Sequence, residues 1–277
     1  MHVRYGKHLV GSTSGRIGLG IAGALTIAAL CSPLVCGEPA AQTVQVLQAP
    51  SWNHLLGTND VGQDIFWRLM YGARTSLLVA VCVGVLSTAI SAVVGISAGL
   101  VGGLYERVTM RLVDALLVTP ILIPVVLVSA FVQPGVWGLI LIISALRWAG
   151  GARIVRAQTL SLKHSGHVMA SQAFGAGTGH VLVRHIAPDL SPILLTSFVH
   201  SARTAVFMEA GLAFIGIAAP GMVSWGAMIR NAMNFYYLPA WKWWLLPPGL
   251  ALSLLILSFV LIGHSLEEVM DPRLHND

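Results

Sequence analysis

The chain has 277 residues, of which 56% are hydrophobic and only 10% charged, and its mean hydropathy is +0.78. Soluble domains carry about 25% charged residues, and one soluble core of this size could not enclose so much apolar surface, so composition predicts an all-α polytopic membrane protein. The formal charge of +5 does not signal nucleic acid, because the basic residues are scattered between apolar runs and form no patch with interleaved aromatics.

Six transmembrane helices are expected, with both termini in the cytoplasm. Residues 1–36 read as a cytoplasmic tail and a first span, Ile17 to Val35, close to the ~20 residues that cross a hydrocarbon core. A secretory signal is the rival reading, but its apolar run is usually about 7 to 15 residues and no A-x-A site follows cleanly. Residues 37–74 read as an extracytoplasmic segment whose second half forms an amphipathic helix, with Val61, Ile65, Phe66 and Leu69 on one face and Thr58 or Asn59 as its cap. Asp60 and Asp64 lack the ligand alternation and closing Glu of a calcium loop. Cys31, Cys36 and Cys82 read as small buried hydrophobes, with a Cys31–Cys36 disulfide as the alternative.

Residues 75–265 are expected to hold the other five spans. Ser76 to Gly102 is the second, and Gly95, Gly99 and Gly103, four residues apart, would admit a close helix neighbour. Spans three and four, about Val108 to Val132 and Val136 to Val155, meet at a tip of Gln133-Pro134-Gly135. Pro120 and Pro124 should kink the third, and Arg147 and Arg153 should snorkel from the fourth. Pro192 to Ile217 is the fifth span and leads through Ala218, Ala219 and Pro220 to an aromatic cluster, Tyr236, Tyr237, Trp241, Trp243 and Trp244, that reads as an interfacial belt. The sixth, about Leu245 to His264, precedes a cytoplasmic tail, residues 266–277.

Between spans four and five lies a polar, Gly-punctuated segment, Lys163 to Asp189. It reads as two short helices, His167 to Phe174 and His180 to Ile186, separated by Gly175, Gly177 and Gly179 and closed by Pro188. Helices this short need a partner surface. The positive-inside rule puts the segment in the cytoplasm: Arg4, Lys7, Arg16, Arg107, Arg111, Arg147, Arg153, Arg156, Lys163, Arg184 and Arg273 fall on that side, against Arg68, Arg74, Arg230 and Lys242 outside.

The chemistry is sparse. None of Lys7, Lys163 and Lys242 sits in a phosphate-binding G-x-x-x-x-G-K-[ST] loop. No metalloprotease or serine-hydrolase motif occurs either, which leaves an intramembrane hydrolase as a minor reading without a motif. No cofactor is expected. Histidines 164, 167, 180 and 185 could suggest a metal, but their spacing is poor and only Asp189 lies near. Within the fifth span, His200, Arg203 and Glu209 are costly to insert; they line a translocation path or tether helices. Six residues turn a helix by about 600°, so Glu209 lies about 120° from Arg203, whereas His200 is Arg203's neighbour.

The Lys163–Asp189 segment resembles the cytoplasmic loop of importer-type ABC transporter permeases, whose pattern is E-A-A, three residues, Gly, nine residues, I-x-L-P. Ala170, Gly175 and Pro188 match in register, and Arg184-His185-Ile186-Ala187-Pro188 is similar to the R-H-I-L-P ending of the dipeptide, oligopeptide and nickel permeases. Gly57 to Asp64, Tyr71 to Arg74, Glu209 to Gly216, Trp225 to Met228 and Asp271 to Leu274 resemble further blocks of that family. Met169 stands in place of the motif Glu, Ser171 in place of its second Ala and Ala187 in place of its Leu. The resemblance implies a permease subunit for di- or oligopeptides, or alternatively for nickel or a metallophore. Its implied partners are a second homologous permease subunit, two cytoplasmic ATPase subunits, an extracytoplasmic binding protein and the lipid bilayer of a bacterial inner membrane. It further implies ATPase coupling through Met169, Ala170, Ser171, Phe174, Gly175, Arg184, His185 and Pro188, and binding-protein docking near Asp60, Asp64 and Trp225.

Overall fold

The computed structural model describes residues 11–217 and 221–270. Residues 218–220, Arg4, Lys7 and the Asp271-Pro272-Arg273-Leu274 block lie outside the described residues. Every regular element described is helical. Four helical stretches are long and apolar enough to cross a membrane, Thr13–Val35, Ile65–Val101, Val136–Lys163 and Trp241–Glu268, and a bent helix pair makes a fifth. The chain is thus an all-helical polytopic membrane protein.

Helix α1 (Thr13–Val35) starts where Ser12 Oγ accepts the Gly15 N–H at 3.0 Å. Helix α2 (Ile65–Val101) is one 37-residue helix, so the amphipathic helix expected before Arg74 and the span expected from Ser76 are continuous. Its cap is neither Thr58 nor Asn59. Asp64 takes that place, accepting the Trp67 N–H at 3.1 Å, because Thr58 and Asn59 are engaged inside the preceding loop. All three cysteines are free thiols.

The expected kinked third span is two helices, α3 (Gly103–Val118) and α4 (Leu122–Val132), bent by 82°. Pro120 makes the break: it forces Thr119 into an extended conformation (ψ 126°). Pro124 does not kink the chain, because it falls in the first turn of α4, where a missing N–H goes unused. Gln133, left-handed at φ 44°, ends α4 at the expected hairpin tip and donates to Ser129 O at 2.9 Å. Helix α5 (Val136–Lys163) then returns.

Helices α6 (Gly166–Ala173) and α7 (Thr178–Val181) follow, then a five-residue π-turn, Leu182–Ile186, and α8 (Ala187–Phe214). Beyond it come α9 (Trp225–Met233), α10 (Trp241–Trp244) and α11 (Leu246–Met270). Helix α8 has the same 28-residue length as α5, but His200, Arg203 and Glu209 interrupt its apolar residues, so length and composition alone do not mark it as a span.

Helices α2, α5 and α8 form the centre of the bundle. Val79 and Val83, Ile140 and Ile143, and Met208 and Leu212 meet there in one buried cluster. Lipid supplies little hydrophobic drive for helix association, so close approach and interhelical hydrogen bonds matter more. A Cβ at Gly95 would sit 2.7 Å from Ala152 O, and one at Gly99 would sit 2.8 Å from Thr159 Cβ. Gly103 lies past that contact, as the first residue of α3, with nothing within 4 Å of a Cβ built there. Ser91 Oγ donates to Trp148 O at 2.7 Å across the same seam. The expected aromatic belt divides: Tyr236 and Tyr237 are exposed, whereas Trp244 is buried and stacks on Phe235 at 5.4 Å.

The start of α2 gathers residues 37–64, α9 and α10 at one end of the bundle. Its finish, near Leu100, carries the 163–189 segment at the other.

Candidate functional site

The 163–189 segment is anchored before it is exposed. Lys163 Nζ donates to Leu100 O at 3.0 Å, satisfying one of the last carbonyls of α2. Val168, Val181, Ile186 and Leu190 are buried against Val155 of α5, with Ile96 and Leu100 of α2 packed around them. His167 Nε2 lies 3.4 Å from Asp189 Oδ2 and ties α6 to the start of α8.

Helix α6 ends in a Schellman turn. Gly175 at φ 89° donates to Gln172 O at 2.9 Å, and Ala176 donates to Ser171 O at 3.1 Å. Glycine suits that left-handed position, where a Cβ would cost conformational energy. Its surroundings are open, since no atom lies within 4 Å of a Cβ built there.

The expected second short helix does not end at Pro188. It runs through the π-turn into α8, with the Ala187 N–H bonded to Leu182 O five residues back. Pro188 has no N–H to donate, and the wider turn just ahead of it absorbs the lost α-helical bond. The segment is therefore one short helix, a glycine turn, and a direct continuation of α8.

Its outer surface exposes apolar side chains among polar ones. Phe174 is 93% exposed, and Met169 and Val183 are also exposed. Ala170, Arg184 and Pro188 share that exposure, while Ser171 and His185 are half-buried. The His185 ring lies 5.7 Å from that of His167 and 6.0 Å from that of His180. Among the described residues no group of three His, Cys, Asp or Glu side chains could hold a metal ion. A buried base carrying an uncovered phenylalanine and methionine offers apolar side chains that a groove can cover.

The polar residues of α8 separate into two places. Arg203 Nη2 donates to His200 Nδ1 at 3.0 Å, the neighbour relation expected from helical spacing. Both side chains reach cavities between α8 and α11, and one of those cavities also takes in Arg147 of α5 and Glu267 of α11. Neither Arg147 nor Glu267 is distinguishable in the sequence as a neighbour of His200, because each comes from a different helix. Glu209 is elsewhere. It is 1% exposed, with Oε2 3.5 Å from Ser76 Oγ on α2. Beside it α9 crosses so closely that a Cβ at Gly226 would lie 2.5 Å from Ala210 O.

The expected docking residues at the opposite end are mostly interior. Trp225 is 1% exposed and donates Nε1–H to Leu69 O at 2.9 Å, so it pins α9 to α2 and offers no surface to a partner. Asp64 is also buried, holding His54 Nδ1 at 2.8 Å as well as capping α2. Asp60 is half-exposed. The exposed residue that sequence reasoning passes over is Trp52, 97% exposed in the 37–64 loop. Its one signal is a tryptophan in a polar stretch.

Comparison with known proteins adds the assignment. Residues 91–276 match the family described as binding-protein-dependent transport system inner membrane component. The chain is 39% identical over 226 residues to a peptide permease protein of Brucella suis biovar 1, covering 81% of this chain and 75% of that protein. It is 35% identical over 273 residues to a peptide transport system permease protein of Brucella abortus biovar 1, covering 97% and 90%. With the oligopeptide transport system permease protein OppC of Bacillus subtilis it shares 34% over 229 residues, covering 81% and 73%. The chain is a transport component of the bacterial inner membrane, not an enzyme, and belongs to the family of binding-protein-dependent transport system inner membrane components.

Proposed function

We propose that this chain is the permease subunit of an ATP-driven importer of di- or oligopeptides, paired with a second homologous permease and two ATPase subunits and supplied by an extracytoplasmic binding protein. In this reading α1, α2, the α3–α4 pair, α5, α8 and the α10–α11 stretch are six spans, with both termini and the 163–189 segment in the cytoplasm. The observation that carries it is the firmly based apolar surface of Met169, Phe174 and Val183 in a chain without a nucleotide-binding motif. Such a surface needs a groove, and an ATPase subunit supplies both groove and hydrolysis. Since the π-turn joins the segment to α8 without a flexible link, movement of the groove would be passed directly to the helix bearing His200 and Arg203. The names of the relatives favour peptides over nickel or a metallophore.

Reconstitution of the complete complex in liposomes tests the proposal. Uptake of a labelled peptide that requires both ATP and the binding protein is expected. Hydrolysis of peptide or lipid by this chain alone would sink the reading, and nickel uptake without peptide uptake would transfer it to the metal alternative.

A further inference from the structure

A 320 Å³ cavity lies between α5, α8 and α11, and a second of 170 Å³ adjoins it, with Thr196, His200 and Glu267 in both walls. The larger volume is within the range of small-ligand pockets, about 300 to 1,000 Å³. Arg147 and Gly150 line it on α5.

The charges in these walls are not neutralised by one another. Among the described residues neither Arg147 nor Arg203 has a carboxylate within 4.0 Å, and Glu267 has no cation within that distance. Arg147 Nε is buried without a hydrogen-bond partner. Arg203 donates to His200 Nδ1; a guanidinium cannot accept, so Nδ1 is the acceptor and His200 keeps Nε2–H as a further donor. Leaving the guanidiniums of Arg147 and Arg203 unpaired within membrane helices is costly unless water or a ligand answers them, whereas Glu267 is exposed at the rim of the same walls. A ligand that presents an anionic end to the two arginines and a cationic end to Glu267 answers both.

We propose that the two adjoining cavities form one relay site for a zwitterionic peptide, its terminal carboxylate held between Arg147 of the larger and Arg203 of the smaller and its ammonium facing Glu267, which lines both. The proposal rests on the peptide-importer reading above and adds a site within the permease to the selectivity of the binding protein. A lipid phosphate would satisfy the arginines, but Glu267 in the same wall would repel it.

The test uses the complete complex in phosphatidylcholine nanodiscs, without ATP or binding protein, and reads saturation-transfer NMR of trialanine. Transfer to trialanine is expected. It should weaken about tenfold or more for trialanine amide, and likewise in Arg147→Gln and Arg203→Gln complexes, the consequence of losing one charge-assisted hydrogen bond. Glu267→Gln should weaken trialanine yet leave N-acetyltrialanine, which has no ammonium, unaffected. Thermal unfolding of each variant complex separates a lost site from a lost fold. Equal transfer to acid and amide, or no response to the arginine substitutions, overturns the site. So does one bound phosphatidylglycerol per complex that is lost on Arg203→Gln. Peptide uptake by the same preparation with binding protein and ATP tells the two failures apart: uptake without a carboxylate-dependent signal sinks the site alone, whereas no uptake from a mixed peptide pool sinks the importer reading.

Discussion

Two polar, glycine-punctuated segments connect the membrane helices, and they use their side chains in opposite ways. In residues 37–64 the polar groups turn inward: Thr58 Oγ1 donates to Gln45 O at 2.8 Å, Asn59 Nδ2 to Gln63 Oε1 at 2.9 Å, and Asp64 holds His54. In residues 163–189 apolar groups turn outward, with Met169, Phe174 and Val183 uncovered above a buried base. The first loop folds on itself. The second leaves apolar side chains uncovered. Polarity in a loop therefore does not reveal availability; the groups left without internal partners do.

The sharpest way to break this contrast is Phe174→Asp. If Phe174 fills a groove on an ATPase, a charge there should remove an anchor worth about 3 kcal/mol, roughly a hundredfold in affinity. Loss of co-purifying ATPase with unchanged thermal stability of the permease is expected, and retention of the ATPase would show that Phe174 is no anchor. A paired substitution comes next in size. Gly57 and Gly175 share left-handed φ values, 74° and 89°, but a Cβ at Gly57 would lie 2.2 Å from Gln48 O and one at Gly175 meets nothing within 4 Å. Gly57→Val should destabilise the protein by about 2 to 3 kcal/mol through strain and overpacking. Gly175→Val should cost about 1 kcal/mol from backbone strain alone yet abolish uptake, because its side chain projects where the partner docks. Thermal unfolding beside uptake separates the two effects, and equal destabilisation would erase the distinction between the loops.

How much of this is legible in the sequence differs between the same regions. The register of Ala170, Gly175 and Pro188 follows from the resemblance to the permease loop pattern, and the need for a partner surface from helix length. The π-turn does not, because Pro188 alone signals a stop and only the five-residue bond from Ala187 to Leu182 shows how the helix passes it. The His200–Arg203 contact is a local i, i+3 relation and is readable. Arg147 and Glu267 join it only through packing of three helices distant in sequence. At the other end, the resemblance implies docking near Trp225, yet Trp225 is the buried pin between α9 and α2. Asp64 reads as a motif residue and is the cap.

Trp52 tests the weaker half of the comparison. It is the uncovered aromatic of a loop whose buried polar groups satisfy one another, so it is either a contact for the binding protein or an aromatic anchor in the headgroup layer. Its near-complete exposure means that Trp52→Ala removes almost no internal contact, and stability should change by no more than about 0.5 kcal/mol. If Trp52 meets the binding protein at the rim of an interface, the KM for binding protein in stimulated ATP hydrolysis should rise about fivefold, near 1 kcal/mol, with kcat unchanged. An anchor in lipid predicts the reverse pattern: an unchanged KM and sensitivity to the headgroup composition of the liposomes. The second result would shift binding-protein docking toward Tyr236 and Tyr237, the exposed aromatics that follow α9.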